Sequence, residues 1–146
     1  MSAGRPIQLP LGIKLRDEAT FASYYPGPNA GVLAATQAFA EPQSSVEECC
    51  LYLWGSEGTG RTHLLQAACH ALADVGGLAM YLPLDELADE GPLLLEGMES
   101  VDLLCLDKLE AVAGRPDWEE ALFHLYNRLR EQGGRLLVAA VAAPRA

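Results

Sequence analysis

Apolar residues along the chain form short runs that alternate with segments of helical periodicity. Runs with few polar residues are typical of strands that are covered on both faces of a parallel sheet. Four segments have this pattern: 48–54, 78–84, 101–107 and 135–141. The alternation of such strands with helices predicts a three-layer α/β domain with a mostly parallel sheet.

Three longer helices are predicted where apolar residues recur every three or four positions, at 30–40, 61–74 and 117–131. Asn29 is a candidate N-cap for the first, and Gly76-Gly77 is expected to end the second. Between the strands at 78–84 and 101–107, only short helical patches are predicted. The periodic apolar positions are Val32, Leu33, Thr36 and Phe39, then Leu64, Leu65, Ala68 and Leu72, then Trp118, Leu122, Leu125, Tyr126 and Leu129.

A glycine-rich turn joins the first predicted strand to the second predicted helix. It reads Gly55-Ser56-Glu57-Gly58-Thr59-Gly60-Arg61-Thr62-His63. The phosphate-loop pattern G-x-x-x-x-G-K-[ST] is matched at every fixed position except that Arg61 replaces the lysine. Glycines let consecutive N–H groups point inward, and the helix N-terminus adds positive potential. A phosphate-binding loop is therefore predicted; the alternative is a glycine-rich strand-to-helix connection without a ligand.

Two oxygen-bearing side chains are candidate metal ligands. The Thr62 hydroxyl stands where this motif places a Mg²⁺ ligand, and the third predicted strand ends in Asp107. A carboxylate at that position beside the loop strand holds Mg²⁺ through water, so Asp107 is also the candidate catalytic residue. The next residue is Lys108, which cannot accept a proton from an attacking water. A hydrolysing enzyme of this type commonly has a second acid at that position. Glu110 either partly substitutes for this acid or is a surface glutamate.

Composition narrows the class of protein. With 146 residues, 50% of them apolar, the chain fits one domain with a core. Ten basic and twenty acidic residues give a net charge of −10, so direct nucleic-acid binding is not expected. The four cysteines lack zinc-site spacing and are expected to be reduced core residues. No secretory leader or bilayer-length apolar run is evident, so a cytoplasmic protein without membrane contact is expected.

The first fifteen residues read as an extended tail, because each proline disfavours helical geometry in the residue before it. Within it, Gln8, Leu9 and Leu11 form a candidate docking peptide, with the leucines filling pockets and the glutamine setting register. The alternative is a strap packed on its own domain. The aromatic residues of 20–29 are likewise open between an adenine pocket and ordinary core.

Four stretches together make the chain resemble the AAA+ ATPases of the bacterial replication-initiator group, over nearly its whole length. They are Gln8-Leu9-Pro10-Leu11, Thr20-Phe21-Ala22-Ser23-Tyr24-Tyr25-Pro26-Gly27-Pro28-Asn29, Gly55 to Leu65, and Cys105-Leu106-Asp107 leading through Leu109-Glu110 to Tyr126-Asn127-Arg128. The arrangement of all four is specific, whereas a phosphate loop alone is not.

The resemblance implies a job and assigns residues to it. Regulatory proteins of this group bind ADP, dock on the DNA polymerase sliding clamp and provoke ATP hydrolysis by the initiator DnaA. The implied ligands are ADP or ATP and Mg²⁺. By this resemblance Gln8, Leu9 and Leu11 would bind the clamp, Tyr25 and Pro26 would lie near the base, Gly55 to Thr62 would hold the diphosphate, and Asp107 would be the metal-side carboxylate.

The sequence also departs from the group. Ala139 to Ala142 supply no polar sensor of the γ-phosphate, and the chain ends before the fifth strand, the trans-acting arginine and the lid. We therefore expect 1–15 to be the tail and 16–146 an AAA+ domain without its lid. In the group's strand order, 5-1-4-3-2, the edge of the first strand would stay unpaired, which predicts self-association or low stability.

Several functions remain open at this point. The favoured hypothesis is a regulator with weak or absent hydrolysis at its own site. Its rivals are an active ATPase of the helicase-loader type, a small-molecule P-loop kinase, and a clamp-binding fragment in which nucleotide binding is vestigial. The length of chain before the loop disfavours the kinase, because such kinases generally begin with the loop strand.

Overall fold

The computed structural model describes residues 15, 18–24, 30–40, 49–55 and 60–141. Strands and helices alternate along these ranges. The helices are α1 (Ala30–Phe39), α2 (Arg61–Asp74), α3 (Leu84–Leu87) and α4 (Pro116–Glu131), and the strands are β1 (Cys50–Trp54), β2 (Ala79–Pro83), β3 (Leu103–Asp107) and β4 (Arg135–Ala140). Short 3-10 turns fill the segment between α3 and β3 and follow β3 at Leu109–Ala111.

The four strands form one parallel sheet in the order β1-β4-β3-β2. At the carboxyl ends of the strands, Trp54 is paired with Ala140 and Pro83 with Asp107. In parallel sheets of this kind ligands bind outside these ends, where β1 delivers the glycine-rich turn. The predicted three-layer α/β architecture with a mostly parallel sheet is confirmed.

Each face of the sheet is covered by its own apolar cluster. On one face α2 packs its leucines against β2, β3 and β4, with α1 beside it. On the other face α4 and the turns before β3 cover the sheet, with Trp118 and Leu125 fully buried. Strands buried on both sides explain why their sequences show few polar residues.

The predicted elements agree closely with the observed ones. Helix α2 has the predicted bounds, and α4 begins one residue earlier at Pro116, where proline fits because its missing N–H is not needed. Helix α2 ends as expected: the Gly76 and Gly77 N–H groups donate to the carbonyls of Ala73 and Leu72. One interior position was wrong. Val32 is 40% exposed, whereas Thr36 and Phe39 of the same helix are buried. Asn29 lies outside the described residues.

The cysteines divide into two pairs. Cys69 and Cys105 are fully buried free thiols, as expected for core residues, and burial raises the pKa of Cys105. Cys49 and Cys50 are only partly buried, near the start of β1. Among the described residues no group of three or more His, Cys, Asp or Glu could hold a metal ion. Every helix in the same ranges is too short or too polar to cross a bilayer.

Strand β1 lies at the edge of the sheet, paired only with β4 in the described part of the chain. On the α4 face an apolar groove of about 590 Å³ opens between α4, β4 and this edge strand, and Tyr52 and Phe123 are among its lining. Phe123 is 62% exposed. An unpaired edge beside an apolar groove is a ready surface for a second chain.

We predict that this 146-residue chain self-associates through that edge and groove. Light scattering after size exclusion should give a mass above that of the monomer, and Phe123→Lys should lower it by removing exposed apolar area. The control is His124→Lys, which adds the same side chain at the neighbouring exposed position. A monomer at all concentrations, or an equal effect of the two variants, would contradict this.

Candidate nucleotide-binding site

The glycine-rich turn is held at both of its ends. At its start the Gly55 N–H donates to the Ala140 carbonyl at 3.3 Å, which ties the turn to β4. At its end Gly60 adopts a left-handed backbone, φ 80° and ψ 20°, directly before α2 begins at Arg61. Both ends therefore have the placement that a phosphate loop requires. The residues between them, Ser56, Glu57, Gly58 and Thr59, lie outside the described residues.

Gly60 is also a point of close approach to the segment before α1. A Cβ built at this position would lie 2.8 Å from Cε1 of Tyr24. Tyr24 is buried, and its ring meets the His63 ring edge to face with centroids 5.3 Å apart. Glycine is thus required at position 60 both by its left-handed backbone and by the ring packed against it.

The structure brings Thr62 and Asp107 together. The Thr62 hydroxyl donates to Asp107 Oδ2 at 2.6 Å, although 45 residues separate the two in sequence. Helix α2 presents Thr62 in its first turn, and β3 presents Asp107 at its last position. Asp107 is only 2% exposed. The two candidate metal-side residues therefore share one small polar site at the carboxyl edge of the sheet.

Sequence reasoning missed a third member of this site, Tyr81 on β2. Its hydroxyl also donates to Asp107 Oδ2, at 2.6 Å. Burial raises the pKa of Tyr81, and the charge of Asp107 together with this hydrogen bond raises it further, so the hydroxyl remains a donor. The two donors, Thr62 and Tyr81, thus bind the same oxygen of the Asp107 carboxylate. This arrangement holds the carboxylate in one orientation.

Lys108 lies beside the Thr62 hydroxyl. Its Nζ donates to Thr62 Oγ1 at 3.4 Å. Lys108 has a left-handed backbone, φ 58°, which no other non-glycine residue in the described ranges adopts. Such a backbone costs free energy, and residues that keep it cluster at functional sites. The residue that follows the strand-end acid is therefore a contact of the site.

The site fits Mg²⁺ only in part. A hydroxyl and a carboxylate are the oxygen ligands that Mg²⁺ prefers. However, the Thr62 hydroxyl donates a hydrogen bond to Asp107, and its oxygen accepts one from the Lys108 ammonium. A divalent cation at that oxygen would be repelled by the ammonium next to it. The expectation of Mg²⁺ at Thr62 and Asp107 stays a prediction, and the position of Lys108 argues against it.

The side chain of His63 faces the segment at 18–24 and anchors it on α2. Its Nε2 lies 2.7 Å from the Thr20 carbonyl oxygen and 3.3 Å from Ser23 Oγ. Nε2 therefore carries the proton and donates to the carbonyl. The assignment of His63 as a nucleotide contact stays a prediction, and the structure adds a positioning role for its ring. The sequence feature that could have indicated this positioning role is the histidine directly after the loop threonine.

A cavity of about 220 Å³ adjoins the loop on the β1 side. Its lining is aromatic and aliphatic with one cation: Tyr24, Val32, Tyr52, Leu53, Trp54, Arg61 and Leu64. Trp54 is 59% exposed, as is unusual for a tryptophan at the end of a strand. Tyr24 is buried in the core and also lines this cavity, and an adenine pocket there stays a prediction. Tyr25 and Pro26 lie outside the described residues.

Two further sequence predictions can be placed. The Glu110 carboxylate accepts a hydrogen bond from the Val141 N–H at 3.1 Å, directly after β4 ends. It thus has a structural contact that sequence reasoning did not foresee. Ala139 and Ala140 are buried in β4 and offer no polar side chain. Gln8, Leu9 and Leu11 lie outside the described residues.

No protein-family model matches the chain. Among solved structures it is similar to AMPPCP-bound DnaA from Aquifex aeolicus, with a TM-score of 0.75 and 26% identity over 88% of this chain and 43% of that one. A DnaA bound to AMPPCP and single-stranded DNA matches with the same TM-score, 25% identity and the same coverage. The DnaC helicase loader matches with a TM-score of 0.66 and 20% identity over 88% of this chain and 80% of its own.

The parallel sheet, the strand-to-helix turn and these matches define an AAA+ P-loop NTPase fold. Within that fold the chain is related to DnaA. It spans less than half the length of the DnaA chains quoted above.

Proposed function

We propose that this protein is a nucleotide-binding regulator of bacterial DNA replication initiation, of the type represented by Hda. It binds ADP or ATP at the glycine-rich turn, and the ADP-bound form is the one that acts as the regulator. The observation that carries this proposal is the 2.6 Å contact between Thr62 and Asp107 beside the turn. The similarity to DnaA structures that hold AMPPCP supports nucleotide binding, and both DnaA and helicase-loader neighbours support a role in replication initiation.

The composition of the site supports binding with little hydrolysis. A hydrolysing enzyme needs a group that orients and deprotonates the attacking water, and the residue after Asp107 is a lysine. The last residues of β4, Ala139 and Ala140, add no polar group that could respond to a γ-phosphate. A site with these residues holds a nucleotide as a structural ligand.

The proposed partners follow from the resemblance to the regulatory proteins of the replication-initiator group. Gln8, Leu9 and Leu11 dock on the DNA polymerase sliding clamp, and the bound pair promotes ATP hydrolysis by DnaA. The net charge of −10 disfavours direct contact with nucleic acid. One DnaA neighbour is bound to single-stranded DNA, so a direct DNA titration is a necessary companion measurement.

Nucleotide binding is tested by isothermal titration of ADP and ATP into the purified chain. We expect saturable binding, and Arg61→Ala should weaken it by about tenfold or more because a charged contact to phosphate is lost. Arg130→Ala is the matched control, since Arg130 is an exposed cation on α4. Absence of binding in the unmodified chain would end the proposal.

Partner binding is tested by pull-down on the sliding clamp and by DnaA ATPase assays. Gln8→Ala should abolish capture, whereas Gln132→Ala at the end of α4 should not. DnaA hydrolysis should rise only when clamp, ADP and this chain are all present. Capture that depends on Gln8 but not on ADP would favour the clamp-binding fragment instead.

One observation favours a second candidate, an active ATPase of the helicase-loader type. The strand-end carboxylate that a hydrolysing site needs, that of Asp107, is buried and held beside the turn by Thr62. Turnover separates the two candidates. Steady ATP hydrolysis by the isolated chain, lost in Asp107→Ala, would favour the loader.

A further inference from the structure

We infer that Lys108 is a phosphate-binding residue whose ammonium takes the place of Mg²⁺, so that the protein binds ADP without a divalent cation. The inference rests on the proposed nucleotide binding and adds a residue and a metal dependence to it. It starts from the hydroxyl of Thr62, which contacts two charged groups. Thr62 lies between Asp107, to which it donates, and Lys108, from which it accepts.

The direction of these hydrogen bonds decides what the Thr62 oxygen can still do. Its single proton goes to Asp107 Oδ2 at 2.6 Å, so only lone pairs remain on the side away from the carboxylate. A metal ion held by this hydroxyl would need one of those lone pairs. In this structure a lone pair accepts from Lys108 Nζ at 3.4 Å. A divalent cation on the second lone pair would lie next to the lysine ammonium and be repelled by it.

Lys108 makes no direct ion pair with another described residue. The ion pairs of the described residues are Arg115 with Asp89, His124 with Glu120, and Arg128 with Glu99. None of them involves Lys108, which is half-buried and contacts a neutral hydroxyl. The Asp107 carboxylate is linked to Lys108 only through that hydroxyl, and the half-buried ammonium has three donors, so it can also bind an incoming anion directly. The phosphates of a nucleotide on the adjacent turn supply that anion.

The same placement compensates for the residue that the turn lacks. A phosphate loop normally offers a compact ammonium at position 61, where this chain has the planar guanidinium of Arg61. Arg61 lines the cavity on the β1 side, and Lys108 approaches from the end of β3. Lys108 therefore places a compact ammonium beside Thr62, in the first turn of α2. Its left-handed backbone, φ 58°, is the cost of that approach.

The experiment is isothermal titration of ADP in excess Mg²⁺ and again in excess EDTA. For the unmodified chain the two dissociation constants should agree within about threefold, a difference well below the loss of one charged hydrogen bond. Lys108→Asn should lower the affinity in EDTA by about 10- to 100-fold, the loss expected for such a contact. Mg²⁺ should restore much of it, because no ammonium then repels a divalent cation at the Thr62 oxygen.

Asparagine is chosen because it tolerates the left-handed backbone, and Lys108→Gly serves if the first variant does not fold. Arg130→Asn removes the same charge from an exposed position on α4 and should change neither constant. If ADP binds the unmodified chain only with Mg²⁺, or if Lys108→Asn binds normally in EDTA, the role of Lys108 is refuted. If ADP binds under neither condition, the nucleotide proposal fails instead.

Discussion

Replacing Gly60 with alanine is expected to destabilise the protein and to weaken ADP binding far more than replacing Gly76. Both glycines have left-handed backbones, φ 80° and φ 87°. Each substitution therefore carries a similar backbone cost of about 1–2 kcal/mol. Only at Gly60 does the new Cβ meet an obstacle, 2.8 Å from the Tyr24 ring, whereas at Gly76 nothing lies within 4 Å.

The collision at Gly60 has no inexpensive relief. Tyr24 is buried and packed against His63, so moving its ring breaks the contact that holds the segment at 18–24 on α2. Overpacking of this kind costs about 1–3 kcal/mol in addition to the backbone cost. The turn is displaced with it, and an ADP affinity lower by about tenfold or more is expected from the loss of one or two aligned N–H contacts.

Thermal unfolding with and without ADP measures both effects. A domain of this size loses about 2–4 °C in melting temperature for each kcal/mol. Gly60→Ala should therefore fall clearly below Gly76→Ala, and ADP should raise the melting temperature of the Gly76 variant more than that of the Gly60 variant. Equal losses in the two variants would mean that the Tyr24 ring moves freely and does not position the turn.

The predictable parts of this structure are those written in local sequence. The 3.6-residue period of α2 and α4 gave both helices within one residue, and the apolar runs located all four strands. The pairing of Thr62 with Asp107 was also foreseeable, because a loop motif and a strand-end acid are each read from a few neighbouring residues. Both lie at the carboxyl edge of any parallel sheet that contains them.

The parts that escaped prediction depend on register and on contacts across the chain. Tyr81 reaches Asp107 because β2 pairs with β3 in the register that sets Tyr81 beside Cys105 and Pro83 beside Asp107. A strand sequence that is apolar on both faces does not specify this register. The contact of His63 with Thr20 spans 43 residues, and no periodicity reports it. In the sequence, Lys108 indicated only that a second acid is absent. Its contact with Thr62 was not predicted, because that contact depends on the left-handed backbone at position 108.

The second large effect is expected when the buried carboxylate is removed. Asp107→Ala should destabilise the protein by about 2–4 kcal/mol, because it leaves the hydroxyl of Tyr81 buried without its acceptor. Tyr81→Phe should cost about 1.5–3 kcal/mol, the range for a hydrogen bond to a charged group. Denaturant unfolding of the two variants and of the unmodified chain gives these free energies.

The double variant decides whether the two residues act as a unit. Once Asp107 is absent, the Tyr81 hydroxyl is a liability, so adding Tyr81→Phe should cost little or even restore stability. The loss in the double variant should thus be smaller than the sum of the single losses by about 1–3 kcal/mol. Tyr126→Phe is the matched control: its hydroxyl accepts from Cys49 and shares no partner with Asp107.

Combined with Asp107→Ala, the control substitution should be additive within about 0.5 kcal/mol. The same additivity for Tyr81 would show that its hydroxyl does not hold the carboxylate. The cycle also bears on the nucleotide site, since Tyr81→Phe frees one lone pair of Asp107 Oδ2 without touching the turn. If Tyr81 orients the carboxylate that anchors Thr62, the variant should bind ADP more weakly while Tyr126→Phe binds it normally.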